Sequence, residues 1–152
     1  MKPNNISLSI LSISIGLLTT SFSIWQPDFR TAQANAKTEN HLILLNFSGS
    51  DWCGPCIRMH KEIFDNPSFL QMADSCLELV NADFPRNKKN QLNKQKISEN
   101  EALAEKYNPE GKFPFTLLLN KDGKPLKIWE GKPGESVEAF TKEIKTYWEK
   151  YK

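Results

Sequence analysis

A chain of 152 residues with 25% charged and 39% hydrophobic residues has room for one soluble domain. Its net charge of +2 gives no electrostatic case for a nucleic acid or an acidic partner. Three cysteines cannot make a disulfide framework, so the domain must rest on its own core.

The first residues differ from the rest. Lys2 is followed by no charge until Asp28, and eight Ile or Leu residues lie between Ile6 and Leu18 among serines and one glycine. A short basic start, an apolar core and a polar stretch with small residues form the pattern of a secretory signal. The core is broken by Ser and Thr and is weak for a permanent span, although residues 6–25 could just cross a bilayer as an uncleaved anchor. Ala32-Gln33-Ala34 and Ala34-Asn35-Ala36 both fit a small-x-small cleavage pattern. They divide the chain into a signal at 1–36 and a domain at 37–152. In the competing reading, Phe29, Ala32 and Ala36 form one face of a helix leading into the domain, because i, i+3, i+7 is helical spacing. No cysteine lies near the segment, so a lipid-modified N-terminus is unsupported. Export would place the cysteines where disulfides persist.

"LILLNFS" (42–48) is a nearly continuous apolar run, which suits a central strand covered on both faces. A loop "GSDWCG" follows, then a helix from Pro55, a residue suited to a first helical turn. Asn66-Pro67 restarts a second helix through about Asp74, with Asn66 as N-cap. "CLELVNADF" (76–84) is a second strand, opening on Cys76 as a small buried hydrophobe. The run "RNKKNQLNKQK" (86–96), with five basic and no acidic residues, is a solvated loop or helix start. Ser98 and Glu101 make a capping box for the next helix. "FPFTLLLN" (113–120) is a third strand, and an Asp-Gly turn leads to a fourth at 124–131. Residues 135–150 form an amphipathic helix. Trp129, Phe140 and Trp148 are assigned to the core. The expected fold class is α/β, with a parallel first half and an antiparallel second half.

The chemistry centres on "WCGPC". Spacing alone leaves Cys53 and Cys56 open as a redox pair, half a metal site or a plain disulfide. A structural zinc needs four ligands, and only Cys76 and His60 could complete the set, at a spacing that matches no common ligand pattern. Cys53 falls where a strand ends and a helix begins. Free amide groups and the helix dipole there favour thiolate over thiol, below the roughly 8.5 of a free cysteine. Cys56 lies one turn inside, close enough to close a disulfide back onto Cys53. A dithiol so placed can attack a substrate disulfide through one sulfur and resolve the mixed disulfide through the other. His60 shares the helix face of the pair and is read as a surface or packing residue, with thiol tuning as the alternative.

"WCGPC" after an apolar strand, Phe113-Pro114 before another strand, and Gly131 before the last helix together resemble the thioredoxin family over about residues 41–150. The resemblance implies a thioredoxin fold, a central mixed sheet of about four strands flanked by helices. It implies Cys53 as the attacking and Cys56 as the resolving cysteine of a redox disulfide. It also implies a cis Pro114 facing the pair, with Trp52, Phe113 and Pro114 contacting an extended substrate. "GSDWC" and "DFPR" are similar to segments of exported thioredoxin-like proteins. The implied activity is a thiol-disulfide oxidoreductase, Gly-Pro leaning toward a reductase of exported proteins. It needs no cofactor or metal and works as a monomer in the periplasm or another extracytoplasmic space. The implied partners are disulfide-containing exported proteins and a membrane protein that passes electrons outward. An oxidase or isomerase, and a non-catalytic module that holds extended peptides, are the rival readings.

The chain departs from the family in four places. Asn46 stands where thioredoxins carry a buried acid, and the loop from it to Cys53 is one residue longer. With no acid there, Asp51 or a water is left to take the proton from Cys56. Lys61 stands near the place of the proline that kinks the active-site helix. Phe115 follows Pro114 where threonine is usual, with Thr116 next, and would make the substrate groove more apolar.

Overall fold

The apolar run forms β1 (Leu42–Ser48), buried along its whole length in the computed structural model, which describes residues 24–152. The apolar signal core at 6–18 lies outside the described residues. β1 pairs in parallel with β2 (Leu77–Asp83) and antiparallel with β3 (Phe115–Leu119), which pairs antiparallel with β4 (Pro125–Glu130). The sheet order is β2-β1-β3-β4, the four-stranded mixed sheet of a thioredoxin fold. A strand covered on both faces cannot alternate apolar with polar, and β1 does not.

Successive side chains of a strand point to opposite faces, so β1 feeds two cores. Leu42 and Leu44 pack with Met59, Phe64, Phe69, Phe140 and Ile144. These come from α2 (Gly54–Met59), the turn after it, α3 (Pro67–Cys76) and α5 (Val137–Tyr151). Ile43, Leu45 and Phe47 pack on the other face with Ala32, Ala36 and Tyr107, from α1 (Phe29–Glu39) and α4 (Lys94–Tyr107). Trp129 and Phe140 are core residues, whereas Trp148 is half-buried and its Nε1 donates to Asn40 O at 3.0 Å.

Helix α1 contains both expected cleavage sites. Asp28 caps it by accepting from Thr31 N at 2.8 Å, and Ala32 and Ala36 are fully buried against the sheet. A domain boundary after Ala36 would cut through a packed helix. Phe29, Ala32 and Ala36 lie on this one helix, which leads into the domain. Small side chains are needed there because the helix sits directly on β1 and β2. Upstream of α1 the chain also contacts the sheet. Trp25 forms a parallel bridge with Leu79, and Gln26 N donates to Leu79 O at 2.8 Å. This strap covers the outer edge of β2, which would otherwise present unpaired amides.

Three departures from the expected elements bear on the cysteines and their surroundings. Helix α3 runs on through Cys76, so this thiol ends a helix instead of opening a strand. Its Sγ donates to Met72 O at 3.2 Å, and burial pushes its pKa up to about 11. Helix α4 starts at Lys94, capped by Asn93 accepting from Lys96 N at 2.8 Å, which places Ser98 and Glu101 inside it. The active-site helix α2 is only six residues long and widens into a π-helical turn, His60–Phe64, with Asp65 N donating to His60 O at 2.8 Å. That widening falls at Lys61, where the family's kinking proline is absent, and a π turn bends a helix by a different route.

Candidate active site

Cys53 caps α2 at the end of the loop that leaves β1. Its backbone N donates to Gly49 O at 2.9 Å, which closes the loop. The sulfurs of Cys53 and Cys56 are bonded at 2.06 Å, with Cα atoms 5.2 Å apart. Cys53 is 5% exposed and Cys56 1%, so Cys53 is the more accessible of the two. The amide of Cys56 donates to Cys53 Sγ at 3.3 Å. That donor, with the unpaired amides of the first turn, supports negative charge on Cys53 when the disulfide opens.

Trp52 forms the wall beside the pair and is held on four sides. Its Nε1 donates to Phe84 O at 2.7 Å, and its ring meets Phe113 edge-on at 5.4 Å. The Arg86 guanidinium lies 3.7 Å from its centroid. The fourth side is Gly49, where any Cβ would overlap the indole. Gly49 is thus required by close approach of the ring and not by its own backbone angles. The Phe113-Pro114 peptide is cis, and Pro114 O accepts from Gly131 N at 2.9 Å. Pro114 is buried and Phe113 half-buried, set edge-on between Trp52 and Phe84. Phe115 does not reach the groove. It is 7% exposed and packs with Phe47 in the core under α1 and α4, because it follows Pro114 onto the opposite face of β3.

A row of polar side chains crosses the sheet beneath α2. Asn46, 1% exposed, accepts from Thr116 Oγ1 at 2.9 Å and donates through Nδ2 to Asn81 Oδ1 at 3.1 Å. Ser48 Oγ lies 2.9 Å from the same Asn81 oxygen and 3.1 Å from Asp83 Oδ1. Asp83 in turn accepts from Ser50 N and Oγ at 2.8 and 2.6 Å. A carboxylate therefore is present, but at the rim of the sheet, on the neighbouring strand and two residues beyond Asn81, the residue that pairs with Asn46. Strand alternation could have found this row. Asn46 and Ser48 are two apart on β1, and the parallel register pairs them with Asn81 and Asp83 on β2.

Asp51 has another task. Its carboxylate accepts from Arg86 N, Asn87 N and Asn90 Nδ2 at 2.9, 2.9 and 3.0 Å. These donors hold its pKa below the usual carboxylate value, so it is a poor proton acceptor and a good anchor for the loop 86–90. His60 packs between Trp25 and Phe64, with centroids 5.4 and 5.1 Å away, and burial lowers its pKa. It is a packing residue, though one that ties the N-terminal strap to the active-site helix. Neither Gly49 nor Arg86 was marked in the sequence, because each acts through a ring that is adjacent only in space.

The family model described as a thioredoxin-like domain matches residues 29–148. The chain is 30% identical over 122 residues to the disulfide bond reductase DsbH of Chlamydia pneumoniae, covering 80% of this chain and 70% of that protein. It is 27% identical over 122 residues to the thioredoxin-related protein DsbJ of the same organism, of whose length it spans 34%. Among solved structures, a DsbH oxidoreductase superposes with a TM-score of 0.74 at 25% identity, over 94% of this chain and 95% of that one. A thioredoxin from Thermus thermophilus shares the fold, with a TM-score of 0.58 at 15% identity over 79% and 83%. This chain belongs to the thioredoxin family of thiol-disulfide oxidoreductases, with its cysteine pair at Cys53 and Cys56.

Proposed function

We propose that the chain reduces disulfides in exported proteins. The observation that carries this reading is Cys53 at the helix cap, disulfide-bonded to Cys56, with Trp52 and the cis Phe113-Pro114 peptide beside it. In the dithiol form the Cys53 thiolate attacks one sulfur of a client disulfide. That S–S bond breaks, and the departing client sulfur takes a proton. Cys56, losing its proton to water, then attacks Cys53 Sγ and expels the second client thiolate. Two electrons have passed to the client, and Cys53–Cys56 is again a disulfide. An external dithiol, carried by a membrane protein, restores the pair. The activity for which the Chlamydia relative is named, disulfide bond reductase, supports this direction.

We further propose that an N-terminal signal or anchor exports the chain, and that any processing falls upstream of Ile24. The strap and α1 are packed into the sheet from Trp25 onward. Among the described residues no helix is long and apolar enough to cross a membrane.

The test is trapping. Replacing Cys56 with Ala leaves the mixed disulfide on Cys53 unresolved, and exported proteins should accumulate covalently bound to the chain. A measured reduction potential fixes the direction. A value near −120 mV, in the range of strong oxidants, would sink the reductase reading, whereas one near −270 mV supports it, both being approximate reference values.

A further inference from the structure

A cleft of about 440 Å³ opens beside the redox pair, on the α4 side of Trp52. Trp52, Phe84, Phe113, Leu92, Ile97 and Asn100 line it. The first three are rings already set edge-on to one another, Trp52 to Phe113 at 5.4 Å and Phe84 to Phe113 at 5.6 Å. Its size is that of small-ligand sites, and its walls are mainly apolar.

One polar atom in this lining has no partner. Asn100 is 1% exposed, and its Nδ2 donates to Asp83 O at 2.8 Å. Its Oδ1 is buried and makes no hydrogen bond among the described residues. Turning the amide over does not help, since that would set two oxygens against each other at Asp83. A buried acceptor without a donor is unfavourable, and on a residue that lines the cleft it marks where a ligand donor belongs.

We propose that this cleft binds a tryptophan side chain of the client, a few residues from the client cysteine under attack. This rests on the redox reading above and names the substrate class for that site. Aromatic walls favour a ring in edge-to-face contact. The lone acceptor calls for a ring that carries an N–H, and an indole supplies both. Trp52 and Phe113 belong both to this cleft and to the surroundings of the cysteine pair. A client chain lying along the pair, extended at roughly 3.3 Å per residue, brings a neighbouring side chain to the cleft. The client is therefore a polypeptide with Trp near its disulfide-bonded cysteine, not a free small disulfide.

The test uses the reduced full chain and four synthetic peptides. Each carries one cysteine in mixed disulfide with a chromophoric aryl thiol, and a residue two positions away is Trp, Phe, Leu or Ser. The free aryl disulfide serves as the small substrate. The Trp peptide should react about tenfold faster than the Phe peptide, the factor one net hydrogen bond supplies. In Asn100→Leu that Trp-over-Phe ratio should fall to about one, and in Ile97→Phe, which fills the cleft, the Trp peptide should lose about tenfold relative to the small disulfide. If the four peptides agree within about twofold while the small disulfide still turns over, the cleft is not a client site and the redox reading stands. An equal loss on every peptide in Asn100→Leu would make Asn100 scaffold only and overturn the proposal. If no disulfide is reduced at all, the redox reading falls and takes this proposal with it.

Discussion

Replacing Asn46 with Asp puts a carboxyl group where the family usually has one, in surroundings built for an amide. The amide donates to Asn81 Oδ1 and accepts from Thr116 Oγ1, and it is 1% exposed. A neutral acid reproduces both bonds, its hydroxyl pointing at Asn81, so at low pH the variant should lie within about 1 kcal/mol of the parent. A carboxylate cannot. It would face Asn81 Oδ1 oxygen to oxygen, with Thr116 as its one donor, and burial raises the pKa of such a group by several units. The folded pKa thus lies above the unfolded value of about 3.9. Stability from the protonated group is fully present below the unfolded pKa and is lost as pH rises toward the folded one. Each unit in that window costs about 1.4 kcal/mol. Between about pH 4.5 and 7.5 the gap to the parent should widen by about 4 kcal/mol, provided the folded pKa is at least 7.5. Urea unfolding of both proteins at the two pH values measures it. A gap that stays constant within about 1 kcal/mol would refute the reasoning, because the site would then be solvating a carboxylate.

Three other outcomes are expected. Gly49→Ala forces the Trp52 ring off its seat, so it should cost about 1–3 kcal/mol as overpacking does; thermal melting and a change in tryptophan emission measure it, and an unchanged emission spectrum would show that the ring has room. Burial depresses the His60 pKa, so its contribution is present above the unfolded value of about 6.5 and is lost as pH falls. His60→Phe, which keeps a ring against Trp25 and Phe64, should therefore flatten the decline in melting temperature between about pH 7.5 and 5. A chain starting at residue 24 should unfold cooperatively in urea like the full chain. One starting at residue 37 lacks the cover over Ile43, Leu45 and Val80 and should show no cooperative transition.

The sequence by itself determined most of the elements and the place of the cysteine pair. The run at 42–48 had to be a covered strand, because an uninterrupted apolar stretch of that length has no solvent face to offer. Asn66 and the Asp-Gly turn fixed local geometry through their own side chains or backbone freedom. The string "WCGPC" placed two sulfurs at a strand-to-helix junction, since three residues is one helical turn. These are short-range facts, and short-range facts are written in neighbouring residues. What only the tertiary structure decided lies across strands and loops. Helix propensity around Ala32–Ala36 is compatible with both a packed helix and a cleavable linker, and burial against β1 and β2 chose the helix. Asp51 looked free to accept a proton until three donors from 86–90 filled its oxygens, some 35 to 39 positions away in the chain. Asn46 seemed an isolated loss of an acid, whereas the parallel register with β2 made it one member of a row that ends at Asp83. Gly49, Phe84 and Arg86 became meaningful only around the Trp52 ring. In each case the deciding quantity is which polar or aromatic group arrives from a distant segment, and local pattern carries no record of that.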